Sequence, residues 1–125
     1  MTTLRAVLDT TAVIAYARGS HDLGEVIAEI ASEGADVAVP VSCLLEAAQH
    51  TDPSAFGLLD MLAAHAHSAL LALDTDRWRV HANAARLLGT LGRAQAAMCV
   101  IDGRASYVLT REPDVYGEGI PTIAI

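Results

Sequence analysis

Four acids in this chain stand where a carboxylate has chemistry open to it beyond solvation. Asp9 follows the apolar run Ala6-Val7-Leu8 and precedes Thr10 and Thr11. A carboxylate that ends a buried strand is held at the carboxyl edge of a sheet, where open α/β folds build their sites. Glu46 lies in an otherwise apolar window of Val41, Cys43, Leu44, Leu45, Ala47 and Ala48. On a covered helix face such a group has to be paired or metal-bound. Glu112 and Asp114 follow a later apolar run, in Leu109-Thr110-Arg111-Glu112-Pro113-Asp114. Each acid also has a plain structural role open to it: Asp9 as a helix cap, Glu46 on an exposed face beside Gln49 and His50, and acid-Pro-Asp as turn chemistry. Brought from separate segments onto one sheet edge, they would instead make an oxygen-ligand site suited to Mg²⁺ or Mn²⁺.

The elements that must position them follow from the hydrophobic pattern. Short apolar runs at 6–8, 37–39, 70–73 and 107–109 predict strands, with 120–125 as a fifth. Between them lie helical stretches at 11–17, 22–33, 41–50 and 54–67. A further helix running through Trp78 to Gly89 is expected to take Asp76 as its cap, and the next, 94–101, to start after a break at Gly92-Arg93. Strands alternating with helices require crossover connections and therefore a mainly parallel sheet. The expectation is one domain over residues 1–125, a three-layer α/β/α fold with four to five strands. The amphipathic stretches 22–33 and 54–67 carry apolar stripes, Phe56, Leu58, Leu59, Met61 and Leu62 among them.

Composition excludes several classes. The net charge is −7, and all eight basic residues are arginine. Phosphoacceptor receiver domains and haloacid-dehalogenase-type phosphatases also place an Asp after the first strand, but both need a lysine, as does a Walker-type phosphate loop. The acidic balance argues against a broad, sequence-blind grip on nucleic acid, although a bound divalent cation would reverse the sign locally. His21, His50, His65, His67 and His81 do not make a zinc site by spacing: His65 and His67 would face different sides of a helix, and no cysteine stands at finger spacing. Cys43 and Cys99 read as buried thiols. Apolar runs fall far short of the ~20 residues of a membrane helix. No basic segment followed by a long apolar one opens the sequence, so the expected location is cytoplasmic.

The ordered set of motifs resembles a family. Asp9-Thr10-Thr11 after an apolar run, then Pro40-Val41-Ser42-Cys43-Leu44-Leu45-Glu46, then Val108-Leu109-Thr110 before an acid, is similar to the PIN-domain ribonucleases, and most of all to the VapC-type toxins of bacterial toxin–antitoxin pairs. The resemblance covers nearly the whole chain. It implies an acidic, Mg²⁺- or Mn²⁺-dependent site that cuts RNA. Asp9, Glu46 and Glu112 match the first, second and fourth acids of that site, as metal ligands and catalytic groups. Thr10 and Thr110 would orient ligands and waters, and Asp114 is a weaker substitute for Glu112. Gln95 stands where the third acid is expected, which removes a charge but keeps an amide oxygen. Arg18, Arg93 and Arg111 are the expected phosphate contacts. The family also implies a homodimer and an antitoxin peptide held in a groove. The alternative is a PIN fold with a degraded site, acting as a binding or scaffolding module.

Overall fold

The computed structural model describes residues 3–125. β1 (Thr3–Leu8) is followed by α1 (Thr10–Ala17) and α2 (His21–Ser32), and β2 (Ala35–Pro40) by α3 (Val41–His50) and α4 (Phe56–Ala63). β3 (Ser68–Leu71) leads to α5 (Trp78–Leu88) and α6 (Leu91–Ile101), then β4 (Tyr107–Thr110) and β5 (Thr122–Ala124). All five strands are parallel, in the order β3-β2-β1-β4-β5. Right-handed crossovers carry α1 to α4 over one face and bring α5 and α6 back over the other. The fold is α/β with three layers.

Strand order decides where a site forms. The chain leaves β1 toward β2 and leaves β4 toward β5, on opposite sides, although β1 and β4 are hydrogen-bonded neighbours. The crevice at the carboxyl ends of such a pair is the usual ligand position in an open parallel sheet. Asp9 stands one residue past β1, and Thr110 ends β4.

The interior strands are apolar because helices cover both faces. Val7, Leu8, Val37, Val39, Val108 and Leu109 are fully buried. The covering helices present small side chains, Ala12 and Ala15 from α1 and Ala94, Ala96 and Ala97 from α6, so that few aromatics are needed to fill the core. The buried Asp36 of β2 is satisfied by Nδ1 of His67 at 3.0 Å. His65 in turn accepts from the His67 backbone N–H at 3.0 Å. These two histidines are structural partners.

Several element boundaries differ from the sequence expectation. The helix expected over 54–67 is a 3-10 turn at Pro53–Ala55 followed by α4, which ends at Ala63. The chain stops there because β3 pairs with β2 two residues earlier than expected, Val37 opposite Ser68. Asp74, not Asp76, is the capping residue: its carboxylate accepts from the Asp76 N–H in the 3-10 turn Thr75–Arg77. The break before α6 falls at Gly89-Thr90 rather than Gly92-Arg93. Gly89 takes φ 99°, the left-handed conformation that ends α5, and the Thr90 hydroxyl then caps α6 through the Arg93 N–H. Gly92 is therefore inside the first turn of α6.

Both thiols are free and buried, Cys43 completely and Cys99 at 5% exposure. Burial pushes both thiols up in pKa, so neither is a thiolate near neutrality. A disulfide-exchange reagent such as DTNB is expected to label neither cysteine in the native protein and both in urea. Rapid labelling of either in the native state would contradict this packing.

Candidate active site at the carboxyl edge

The site is built from a carboxylate that burial obliges to find donors. Asp9 is 2% exposed. Its Oδ1 accepts from the Thr11 hydroxyl at 2.6 Å and from the Ala12 N–H at 3.0 Å, so it caps α1 as well as facing the crevice. Its Oδ2 accepts from the Tyr116 hydroxyl at 2.8 Å. Thr11 passes the order on: its oxygen accepts from the Arg111 N–H at 2.9 Å and lies 3.3 Å from the Thr110 hydroxyl. The Thr110 hydroxyl accepts from the Glu112 N–H at 2.9 Å. One chain of hydrogen bonds thus runs from the end of β1 to the acid beyond β4.

Glu46 enters the same crevice from α3. Its Oε1 accepts from the Thr10 hydroxyl at 2.8 Å and its Oε2 from the Gly92 N–H at 2.9 Å. The second contact places the carboxylate at the amino end of α6, where the helix dipole stabilises negative charge. It depends on glycine, because a Cβ at position 92 would collide with Glu46 Oε1 and Thr10 Oγ1. Beneath them, Cys43 donates its S–H to the Gly92 carbonyl at 3.2 Å.

Asp9, Thr10, Thr11, Glu46, Arg93 and Glu112 line one cleft of about 220 Å³. The acids of β1, α3 and the β4 edge are therefore brought together, but not equally. Glu112 is half exposed and bound to Arg93, Nη2 to Oε2 at 2.9 Å. Arg93 also donates to the Leu88 carbonyl at 2.8 Å. The expected phosphate contact and the expected metal ligand thus hold each other. Among the described residues no three His, Cys, Asp or Glu side chains close into a ready metal cage.

Two expectations, Gln95 and Asp114, are corrected by position. Gln95 does not face the acids. It is buried, its Oε1 accepts from the N–H and hydroxyl of Ser42, and its Nε2 donates to the Leu71 and Ala72 carbonyls at 3.1 and 3.3 Å. It ties α6 to the start of α3 and the end of β3. The first-turn position of α6 that meets Glu46 is Gly92. Asp114 lies exposed in the 3-10 turn Pro113–Tyr116 and does not line the cleft. Arg18 and Arg111, both exposed, line an adjoining groove of about 140 Å³ that shares Thr11 and Ile14 with the cleft.

Tyr116 and His50 were not legible as site residues. Tyr116 is 107 positions from the carboxylate it holds, in an irregular segment without periodicity. His50, in the last turn of α3, lines the cleft; its spacing of four from Glu46 was the available signal, since i and i+4 share a helix face.

Two carboxylates retain the capacity to hold a divalent cation. A carboxylate oxygen accepts about two hydrogen bonds. Asp9 Oδ2 and both Glu46 oxygens use one each. Mg²⁺ is commonly held by one or two carboxylates, with waters and substrate phosphates completing the octahedron, so the donor set fits such an ion.

No protein-family model matches the chain, and no curated protein matches it.

Two measurements check this geometry. Gln95→Ala strands three polar groups in the interior, the Ser42 N–H and hydroxyl and the Leu71 carbonyl, and is expected to lower unfolding stability by about 3 kcal/mol; a loss under 1 kcal/mol in urea titration would contradict the assignment. The second concerns alkaline pH. Burial, reinforced by the neighbouring Asp9 charge, pushes the Tyr116 hydroxyl above its ordinary 10.0. Burial raises the Cys43 thiol above its ordinary 9.0, with Asp9 and Glu46 adding to the effect. Both groups keep their protons in the folded state and release them on unfolding, so their contribution is complete below pH 9 and is lost as pH rises through 9 and 10. The urea midpoint is expected to fall steadily above pH 9, and to fall less in Tyr116→Phe.

Proposed function

We propose that the chain is a metal-dependent endoribonuclease of PIN type, the toxin of a toxin–antitoxin pair. The observation that carries this reading is the meeting of Asp9 and Glu46 in one cleft at the β1/β4 switch point, each with unused oxygen lone pairs. Asp9 and Glu46 are the residues that would hold Mg²⁺ or Mn²⁺. When bound, the ion would polarise the scissile phosphate and lower the pKa of a water that attacks it. The protein's own groups do the positioning. Thr10 and the Gly92 N–H fix the Glu46 carboxylate, while Thr11, Ala12 and Tyr116 fix that of Asp9. Arg18 and Arg111, at the adjoining groove, bind phosphates of the incoming strand. His50 is the cleft's imidazole and supplies a proton to the leaving oxygen. Glu112, neutralised by Arg93 at rest, joins the site when substrate phosphate draws Arg93 away.

The partners fall to the apolar surface. A groove of about 360 Å³ between α1, α2 and α4, lined by Tyr16, Gly24, Ala28 and Leu58, suits one face of an antitoxin helix. A smaller groove of about 220 Å³ beside Leu45 and Phe56 is the face we assign to a second copy in a homodimer. No helix among the described residues is long and apolar enough to cross a membrane; the reading places the protein in the cytoplasm.

A second reading has its own support. The Arg93–Glu112 pair and the glycine at position 92 leave a site with fewer free charges, as a PIN-fold scaffold with a lapsed active site would have.

Metal titration separates the two. At tenfold excess over Kd, Mn²⁺ or Mg²⁺ should stabilise the nuclease by ~1.4 kcal/mol, a rise in Tm of roughly 5 °C. Asp9→Asn keeps the shape and should abolish both that shift and RNA cleavage. A Tm indifferent to either metal, with no cleavage by the wild type, would establish the scaffold instead.

A further inference from the structure

The charge of this chain is segregated. Residues 77–101 contain Arg77, Arg79, Arg86 and Arg93 and no acid, while all fifteen acids lie elsewhere. That stretch is the last residue of the 3-10 turn Thr75–Arg77, then α5, α6 and the turn between them. Arg77 pairs with Asp102 and Arg93 with Glu112, but among the described residues Arg79 and Arg86 have no salt-bridge partner. Together with Asn83 they lie exposed at i, i+4 and i+7 of α5, which is one helix face. Helix stability does not account for Arg79, because the first turn of a helix is the end where the dipole disfavours a cation.

Beside this face stands an aromatic that the core does not use. Trp78, the chain's only tryptophan, is 62% exposed, and the Arg79 guanidinium carbon sits 5.3 Å from its ring centroid. An exposed indole backed by a guanidinium offers a stacking surface edged with positive charge, the combination used to bind single-stranded nucleic acid. The track leads to the cleft: Leu88, the last residue of α5, accepts from Arg93, which lines the cleft. Arg79 and Arg86 are about 10 Å apart along the helix at ~1.5 Å per residue.

We propose that the outer face of α5, formed by Trp78, Arg79, Asn83 and Arg86, is a docking surface for single-stranded RNA, with arginines on the phosphates and Trp78 stacked on a base. The assignment rests on the ribonuclease reading for its polyanion. It goes beyond that reading in locating the strand outside the cleft.

The test uses the full chain in EDTA, so that binding is measured with cleavage switched off. A fluorescein-labelled single-stranded 12-mer RNA of mixed sequence is titrated by anisotropy, and Trp78 emission is followed with the unlabelled RNA. Binding should quench Trp78. Arg79→Gln/Arg86→Gln should weaken affinity at least tenfold at low salt and reduce the slope of log K against log salt by about 1.4, the value for two lost phosphate contacts on a single strand. Trp78→Ala should weaken it at least fivefold with little change in that slope. Equal binding by wild type and the double variant, or no quenching, would overturn the proposal. So would competition by poly-glutamate as effective as unlabelled RNA, which would assign the face to an acidic protein. Binding as expected without cleavage in Mg²⁺ or Mn²⁺ supports the α5 surface while removing the ribonuclease reading. Cleavage with unchanged KM in the double variant does the reverse.

Discussion

The structure depends on satisfying one buried carboxylate. Asp9 ends an interior strand, is 2% exposed, and cannot leave the crevice without breaking the cap of α1. Charge in that position is tolerable only with donors on both oxygens, and the chain supplies them from its two ends, Thr11 in α1 and Tyr116 beyond β4. Because Thr11 then accepts from Arg111 and meets Thr110, the segment after β4 inherits its position from the needs of Asp9. The same bonds extend the β1–β4 pairing past its last backbone link, Asp9 N–H to the Leu109 carbonyl at 3.3 Å. Stability and site geometry are thus set by one network.

The second acid is held on a different principle. Glu46 lies against the amino end of a helix, and the approach is close enough that a Cβ at position 92 would force the Glu46 and Thr10 side chains to shift. At that point a backbone N–H, not a side chain, is the donor that fixes the carboxylate. The consequence is electrostatic. With Glu112 matched by Arg93, Asp9 and Glu46 are the cleft's acids without a cationic partner among the described residues, so like-charge repulsion in the cleft is weaker than four free carboxylates would create.

Much of this was written plainly in the sequence. The strands announce themselves as Val- and Leu-rich runs, and the limits of α3 follow directly from Pro40 and the apolar window after it. Asp9 is identifiable because a strand end is a topological position, fixed by alternation alone. The register of α6 was harder. Gly92 reads as a helix breaker until Gly89 and the Thr90 cap are recognised as the real boundary, and moving the start by three residues turns the helix face presented to Glu46. Gln95 then falls into the interior, where an amide with two donors and an acceptor suits Ser42 and two strand-end carbonyls. The Arg93–Glu112 pair and the Tyr116 contact join irregular segments across the fold. No periodicity encodes such pairings, which exist only once the sheet has brought the segments together.

Net charge is the property most easily misread here. At −7 the whole chain repels polyanions at long range, but ionic screening limits that field to about 8 Å in physiological salt. What a polyanion at the cleft would experience is therefore the local arrangement. On one side of the cleft stand Arg18 and Arg111, on another the acid-free stretch 77–101. The acids of α2, Asp22, Glu25 and Glu29, are on a separate helix and exposed. Since all eight cations are arginine, each carries a planar fork suited to phosphate and to aromatic faces, and a small number of them suffices to define a path. An acidic composition argues against indiscriminate adhesion to nucleic acid. It leaves open a narrow, oriented one.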